Sequence, residues 1–414
     1  MSDSTDTTEP EAVRSNSQPM SAGIVTALVG FTSSFAVVLT GLAAVGADAT
    51  EAASGLLVLC VTQALGMLWL SRRYRMPITL AWSTPGAALL AGAGAGAVEG
   101  GWPAAVGAFI VVGIAIVLTG LWPTLGRIIS AIPTPLAQAM LAGVLMPLCL
   151  APIIAVRDAP AAVAPVILVW LAAQRFSKRW AVPLAFLTAA VVIGISLVTS
   201  DRVLDAGAMI PRIDLTVPSW TWQAMIGIAI PLYIVTMASQ NIPGVAVMNS
   251  FGYTVPWRPS MIVTGIGTIV GAPAGGHAIN LAAISAALAA APTAHPDPKR
   301  RWIAAFTAGW AYLVLAAGAA AVAALVAAAP AGVVETVAGL ALLATLAGAL
   351  TSALSEASER EGAVVTFLIA ASGVSILGIG SAFWALLVGL IVRAVLQGTT
   401  LPSLSRKSSL QSKP

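Results

Sequence analysis

Long apolar stretches, separated by charged or proline- and glycine-rich turns, run along almost the whole chain. Splitting the sequence at these turns predicts fourteen apolar spans. They cover residues 21–46, 52–71, 76–97, 103–122, 134–153, 160–175, 180–199, 219–241, 260–275, 277–291, 302–329, 331–353, 362–378 and 381–397. About 20 apolar residues cross a bilayer as a helix, and a short span such as 160–175 fits a tilted or partly crossing helix. The pattern predicts an all-α polytopic membrane protein with about fourteen spans, and a count of twelve stays open.

The third and tenth spans are interrupted in the same way. Residues 76–90, MPITLAWSTPGAALL, begin with residues that favour an extended backbone, and Ser83-Thr84-Pro85-Gly86 predicts the start of an alanine-rich helix. Residues 271–290, GAPAGGHAINLAAISAALAA, repeat this plan. Non-helical backbone at membrane depth is tolerated only where it is buried in protein or lines a cavity. The breaks lie seven spans apart, which predicts two inverted-topology repeats with the substrate site at the breaks.

Composition and charge narrow the function further. The chain is 58% hydrophobic and 9% charged, whereas soluble domains carry about a quarter charged residues, so a soluble enzyme is excluded. The net charge of +4 is small and the basic residues lie in short loops, which argues against nucleic-acid binding. No glycine-rich phosphate-binding loop is present, and Cys60 and Cys149 lack metal-ligand spacing, so no cofactor and no metal is predicted. The partner implied by this composition is the lipid bilayer.

The basic residues also predict the orientation. With the N-terminus inside, only Arg157, Arg202 and Arg212 of the 20 Lys and Arg residues fall in outer segments. The positive-inside rule therefore predicts that both termini are cytoplasmic. The polar, acidic residues 1–20 are predicted to be a disordered cytoplasmic tail rather than a secretory signal, and residues 401–414 a second tail.

Four motifs carry a resemblance to a known family. ITLAWSTPGAALL at 78–90, MASQNIPG at 237–244, GGHAINLAAISAAL at 275–288 and AHPDPKRRW at 294–302 are similar to the benzoate:proton symporter family, BenE. The similarity extends over residues 20–400. It implies a secondary transporter of the bacterial inner membrane that imports benzoate or a related aromatic carboxylate with a proton, by alternating access.

The resemblance also implies an architecture, that of the nucleobase permeases and the sulfate/bicarbonate exchangers. A core domain would comprise residues 21–123 and 219–329, a gate domain residues 124–218 and 330–400, with short strands in spans 3 and 10. A homodimer through the gate helices follows by analogy. Nucleobase permeases of this fold carry acidic residues in spans 8 and 10, where this chain has Ser239 or Gln240 and Asn280. Proton coupling through a buried carboxylate is therefore not implied, and an inorganic-anion or nucleobase carrier remains the alternative.

The candidate site residues lie at the breaks and on the spans expected to face them. No Lys or Arg lies deep in a span, so the free N–H groups at the starts of the two half-helices are predicted to hold the carboxylate. The predicted substrate-binding residues are Phe31, Ser34, Ser83, Thr84, Gly86, Gln240, Asn241, His277 and Asn280. Alternative roles are helix capping for Ser83 and Thr84, helix packing for Phe31 and Ser34, and interhelical hydrogen bonding for the amides.

His277 is the candidate for proton coupling. It is the one titratable side chain near either break, and histidine changes charge near neutral pH. A neutral histidine bonded to backbone in a tight turn is the alternative. The other histidine, His295, falls in a cytoplasmic loop, and no HExxH or GxSxG motif occurs, so a membrane-embedded enzyme is not predicted.

Overall fold

The computed structural model describes residues 16–92, 99–200 and 206–397, and these form a bundle of helices with one small sheet. The helices of the first half are α1 (Ser17–Thr32), α2 (Phe35–Ala44), α3 (Ala49–Tyr74), α4 (Thr84–Gly92), α5 (Gly101–Leu121), α6 (Pro123–Ser130), α7 (Thr134–Asp158), α8 (Pro160–Phe176) and α9 (Lys178–Thr199). Those of the second half are α10 (Trp222–Ser250), α11 (Trp257–Gly271), α12 (Ile284–Ala290), α13 (Trp302–Ala317), α14 (Ala319–Ala327), α15 (Val333–Ala353), α16 (Arg360–Ala371) and α17 (Ser381–Gln397). The strands are β1 (Leu80–Trp82) and β2 (Ile279–Leu281).

Every apolar span predicted from the sequence overlaps at least one of these helices, and α6 lies between two spans. Over the described ranges, seven are long and apolar enough to cross a membrane, or eight when the bent pair α13–α14 is one span. The pair α1–α2 is counted as one of the seven, and α8 and α17 are shorter apolar helices. The first helix begins at Ser17, four residues before the predicted start at 21. The tail at 401–414 and most of the tail at 1–20 lie outside the described residues.

The two strands confirm the extended segments predicted in spans 3 and 10. β1 pairs antiparallel with β2, with Leu80 opposite Leu281 and Trp82 opposite Ile279. Two further backbone bonds extend the ladder, from Ser83 N–H to Ala278 O at 2.8 Å and from Ala282 N–H to Thr79 O at 3.0 Å. Backbone polar groups need partners where water is absent, and the pairing supplies them across the two breaks.

Helix α10 contains two π-helical turns, Met225–Ala229 and Met237–Asn241. Each π-turn is followed by an α-helical segment with a proline in its first two positions, Pro231 in one case and Pro243 in the other. A proline has no backbone N–H to donate to the preceding turn, which is compatible with a locally widened helix. The second π-turn lies beside the strands, where it carries Ser239, Gln240 and Asn241.

Glycines allow close approach where helices cross. Helix α11 packs along α5, and a Cβ at Gly113 would lie 2.8 Å from the carbonyl oxygen of Gly265, while one at Gly265 would lie 2.7 Å from that of Gly113. Small residues at such crossings let membrane helices gain dispersion energy from near backbone contact. Helix α13 packs on α1 and α3, α15 packs along α7, and α16 packs on α7 and α17.

A buried arginine holds together the loop between α12 and α13. Arg301 is 5% exposed and donates three hydrogen bonds, to His295 O at 2.7 Å, Ala290 O at 2.9 Å and Pro296 O at 3.2 Å. Ala290 is the last residue of α12, so the guanidinium satisfies a carbonyl that has no partner within the helix. The Nδ1 atom of His295 accepts the Asp297 N–H at 3.0 Å, which places this histidine inside the loop.

Candidate functional site

A cavity of about 290 Å³ lies at the two breaks. It is bounded by α1, the β1–α4 segment, the second π-turn of α10, the start of α12, α13 and α15. The lining residues are Val29, Gly30, Ser33, Ser34, Ala81, Trp82, Thr84, Pro85, Ser239, Gln240, Ala282, Ala283, Ser285, Leu288, Tyr312, Ala341, Leu342, Ala344 and Thr345. A larger groove of about 660 Å³ lies between the start of α3, the end of α9 and α14, is lined mainly by alanine and includes no residue of either interrupted segment. The smaller cavity is the candidate site because the interrupted helices meet there.

Three of the predicted site residues line this cavity. They are Ser34 on α1, Thr84 at the start of α4 and Gln240 in the second π-turn of α10. The structure brings them together from segments far apart in the sequence. The other six predicted residues are not among the lining residues: Phe31, Ser83, Gly86, Asn241, His277 and Asn280.

Ser83 and Asn241 make hydrogen bonds that hold the broken segments in place. The Ser83 hydroxyl oxygen accepts the Gly86 N–H at 3.2 Å and the Thr236 hydroxyl at 2.8 Å, so it caps α4 and ties it to α10. The Asn241 Oδ1 accepts the Leu281 N–H of β2 at 2.9 Å. Both side chains are fully buried. They shape the cavity by positioning its walls.

Asn280 and His277 are also fully buried beside the second break. Asn280 donates from Nδ2 to Leu281 O at 2.8 Å, and its Oδ1 has no partner within the described residues. The His277 ring packs edge to face on Phe109 with centroids 6.3 Å apart. Neither ring nitrogen has a side-chain hydrogen-bond partner among the residues that the structure describes. His277 lies two residues before β2, and β2 leads directly into Ala282 at the cavity wall.

An aromatic row forms one side of the site. Tyr312 and Phe31 each pack edge to face on Trp82, with centroids 6.0 and 5.8 Å apart. Phe31 stacks on Phe35 at 5.4 Å, and Phe35 contacts Phe186 of α9 at 4.6 Å. The Trp82 Nε1–H donates to the Ser34 hydroxyl at 2.8 Å, which fixes the indole at the wall. Phe31 therefore supports the aromatic wall from behind.

Sequence reasoning missed several cavity residues. Trp82, Ser239, Ser285, Tyr312 and Thr345 line the cavity and were not predicted as site residues. Trp82 directly precedes the Ser83-Thr84-Pro85-Gly86 start signal, so its position could have suggested it. Tyr312 lies in the uniformly apolar span 302–329, where no local pattern distinguishes it.

The chemistry of the cavity is that of a neutral, partly aromatic site. No charged side chain occurs among its lining residues in the described part of the chain. Both half-helices begin at the cavity, α4 with Thr84 and Pro85 and α12 with Ala283 and Ser285. The Ser239 hydroxyl is buried with no partner within the described ranges. The site can hold an aromatic ring against Trp82 and Tyr312 and present hydroxyl groups to a polar substituent.

Two solved structures share this fold. The transmembrane domain of the cyanobacterial bicarbonate transporter BicA superposes with a TM-score of 0.53 at 15% identity, covering 92% of this chain and 97% of that domain. The structure of SLC26A9 superposes with a TM-score of 0.62 at 13% identity, covering 92% of this chain and 65% of that one. These similarities confirm the fold that the sequence motifs implied.

Sequence relatives define the family. The inner membrane protein YdcO of Escherichia coli (strain K12) is 38% identical over 378 residues, which is 91% of this chain and 95% of that protein. A benzoate membrane transport protein of Acinetobacter baylyi (strain ATCC 33305 / BD413 / ADP1) is 31% identical over 335 residues, or 80% and 82% of the two chains. The family model of the benzoate membrane transport proteins, BenE, matches residues 14–395. The protein is thus a membrane transporter and not an enzyme, and the chain belongs to the BenE family.

Proposed function

We propose that this transporter imports benzoate, or a closely related aromatic carboxylate, together with a proton across the bacterial inner membrane. The observation that carries the proposal is the neutral cavity at the two breaks, with Trp82 and Tyr312 in its wall. Its volume of about 290 Å³ lies at the lower end of the range for small-molecule sites, roughly 300–1,000 Å³. A single aromatic ring with one carboxylate matches that size and that combination of walls. The similarity to the Acinetobacter baylyi protein supports the same substrate class.

The polar end of the site suits a carboxylate. The hydroxyl groups of Thr84, Ser239 and Ser285 lie at the cavity, and the half-helices α4 and α12 begin there. A helix start carries partial positive charge, and two such ends stabilise one monovalent anion without a buried cation. The Gly86 N–H at the start of α4 already donates to Ser83 and is not free to bind the substrate. At that end of the cavity we therefore assign the hydrogen bonds to the carboxylate mainly to the hydroxyl groups.

Alternating access would follow from movement of the two proposed domains. Residues 21–123 and 219–329 form the proposed core, and residues 124–218 and 330–400 the proposed gate. The cavity is lined from the core side by α1, α4, α10, α12 and α13, and from the gate side by α15. A substrate between the two domains is exposed to one side or the other when they rock. The Phe35–Phe186 contact crosses the same boundary.

Transport by the purified protein tests the substrate assignment. We expect protein-dependent uptake of radiolabelled benzoate into proteoliposomes, faster with an acidic exterior than without a pH gradient. Benzoic acid crosses lipid unaided, so initial rates are compared after subtraction of protein-free liposomes. Unlabelled benzoate should compete, and bicarbonate or uracil should not. Absence of protein-dependent benzoate uptake, with uptake of an inorganic anion instead, would overturn the assignment.

We also propose that both termini are cytoplasmic, because the basic residues are concentrated on that side. This orientation places Lys299 inside and Arg212 outside. In intact cells, a membrane-impermeant maleimide should label an Arg212→Cys variant and leave a Lys299→Cys variant unlabelled until the cells are opened. The native Cys60 and Cys149 are buried, which keeps the background low. The reverse labelling pattern would invert the orientation.

A further inference from the structure

We propose that the Tyr312 hydroxyl is a specificity-determining hydrogen-bond donor to the substrate carboxylate. This inference rests on the proposed function, because it assigns one contact within the site of the aromatic acid. It adds a residue on α13 to a site otherwise built at the two breaks.

The position of Tyr312 supports this role. The residue is 3% exposed and its ring packs edge to face on Trp82, so the side chain has little freedom to turn. The hydroxyl lies against Gly30 of α1, so closely that a Cβ added at Gly30 would overlap the hydroxyl oxygen. Tyr312 and Gly30 both line the cavity. The phenol is therefore held at the cavity wall.

The hydroxyl of Tyr312 also lacks a hydrogen-bond partner among the residues that the structure describes. A buried tyrosine hydroxyl usually has a hydrogen-bond partner. The Tyr233 hydroxyl pairs with Thr119, and the Tyr253 hydroxyl donates to Pro298 O at 2.7 Å. Within the described ranges, no hydrogen bond of the Tyr312 hydroxyl is found. A substrate oxygen in the cavity would supply the missing acceptor.

The other hydrogen-bond donors near Tyr312 already have acceptors within the protein. The Trp82 Nε1–H, the other polar group of the aromatic wall, is already donated to Ser34. Ser33 and Ser34 donate to Gly30 O, at 3.0 and 3.3 Å. Within the described ranges, the Tyr312 hydroxyl is thus the donor on this side of the cavity that has no protein acceptor. A carboxylate oxygen of a substrate in the cavity would be the acceptor that this hydroxyl lacks.

A substitution at Gly30 can displace the Tyr312 hydroxyl without changing Tyr312 itself. In a Gly30→Ala variant the new methyl group would push the phenol oxygen away, whereas the ring carbon Cζ would still lie 3.6 Å from it. In a Gly30→Ala/Tyr312→Phe double variant the displaced atom is gone and the methyl group meets only the ring. The effects of the two substitutions on the free energy of benzoate binding should therefore be non-additive.

The experiment measures benzoate binding to purified protein in detergent by calorimetry, for the wild type, both single variants and the double variant. A hydrogen bond to a charged group is worth enough to change affinity by roughly tenfold to a hundredfold, so Tyr312→Phe should weaken binding by about tenfold or more. Gly30→Ala should weaken it similarly, and the double variant should bind like Tyr312→Phe. Tyr74→Phe, the same chemical change at the end of α3 and outside the cavity, should bind like the wild type.

The outcomes separate this inference from the function on which it rests. If the wild type binds no aromatic carboxylate, the proposed function and this inference both fail. If the wild type binds benzoate and Tyr312→Phe binds it equally well, only the inference is overturned. Additive losses in the double variant would also overturn it, because they would show that Gly30 and the hydroxyl act separately. Melting temperatures of all variants, measured without ligand, distinguish lost binding from lost folding.

Discussion

Replacing His277 with glutamine is expected to abolish the stimulation of benzoate uptake by an acidic exterior. His277 is the one His, Asp, Glu, Lys or Arg residue within 76–92 and 271–290, the two interrupted segments. Its ring nitrogens have no side-chain partner within the described residues, and β2 connects it to the cavity wall. With one proton per benzoate, a gradient of one pH unit supplies about 1.4 kcal/mol, which corresponds to a roughly tenfold accumulation of benzoate at equilibrium. The variant should lose this protein-dependent accumulation.

Exchange measurements separate coupling from general damage. Exchange of labelled for unlabelled benzoate without a gradient needs no net proton movement, so His277→Gln should retain it. A His277→Ala variant should behave in the same way, while His295→Ala, the matched change in the loop between α12 and α13, should keep the wild-type response to the gradient. Full gradient stimulation in His277→Gln would instead show that the proton moves with the undissociated acid or through another group.

Replacing Arg301 with methionine is expected to cause a large loss of stability. The three carbonyl oxygens of Ala290, His295 and Pro296 would lose the charged donor that satisfies them. Hydrogen bonds to charged groups contribute about 1.5–3 kcal/mol each, so the free energy of unfolding should fall by ~3 kcal/mol or more. Because the loop fixes the end of α12, benzoate binding should weaken as well.

Thermal unfolding in detergent, followed by tryptophan fluorescence, measures this effect. Arg258→Met removes the same side chain from an exposed position and should leave the melting temperature nearly unchanged. Arg301→Lys keeps the charge but cannot reach three carbonyls in a fixed planar arrangement, so it should fall between the wild type and Arg301→Met. Equal melting temperatures for Arg301→Met and the wild type would show that other groups satisfy the loop.

The helices and the two strands could be predicted because the bilayer imposes them. A membrane-crossing segment must be apolar and long, and its interruption needs residues such as Gly275, which adopts a φ of 90° where other residues are strained. The finer path of the backbone was not predicted. Span 302–329 was expected to be continuous, yet the helix bends by 51° beside Gly318, and span 21–46 breaks at Ser33 and Ser34.

The cavity lining was harder to predict than the helices. Ser34, Thr84 and Gln240 were predicted as site residues and line the cavity, whereas Asn241 and Asn280 lie behind its walls. In a membrane, the lipid-facing and the protein-facing sides of a helix are both apolar, so hydrophobic periodicity does not show which side faces a cavity. Tyr312 illustrates this, because the apolar sequence around it, AGWAYLVLA, does not show that its side chain faces the cavity.

The two π-turns of α10 affect how sequences of this family should be compared. A π-turn is equivalent to one extra residue in an α-helix, so α10 contains two such insertions in a single membrane-crossing helix. A relative with a regular helix here would differ by a one-residue gap in the middle of the membrane, where alignment methods normally disfavour gaps. Forcing the helix to be continuous would shift every position beyond the gap by one. The residue aligned with Asn241 would then be a neighbour of the true counterpart, and its side chain could not reach β2. An asparagine present at the same place in both proteins would be counted as a substitution.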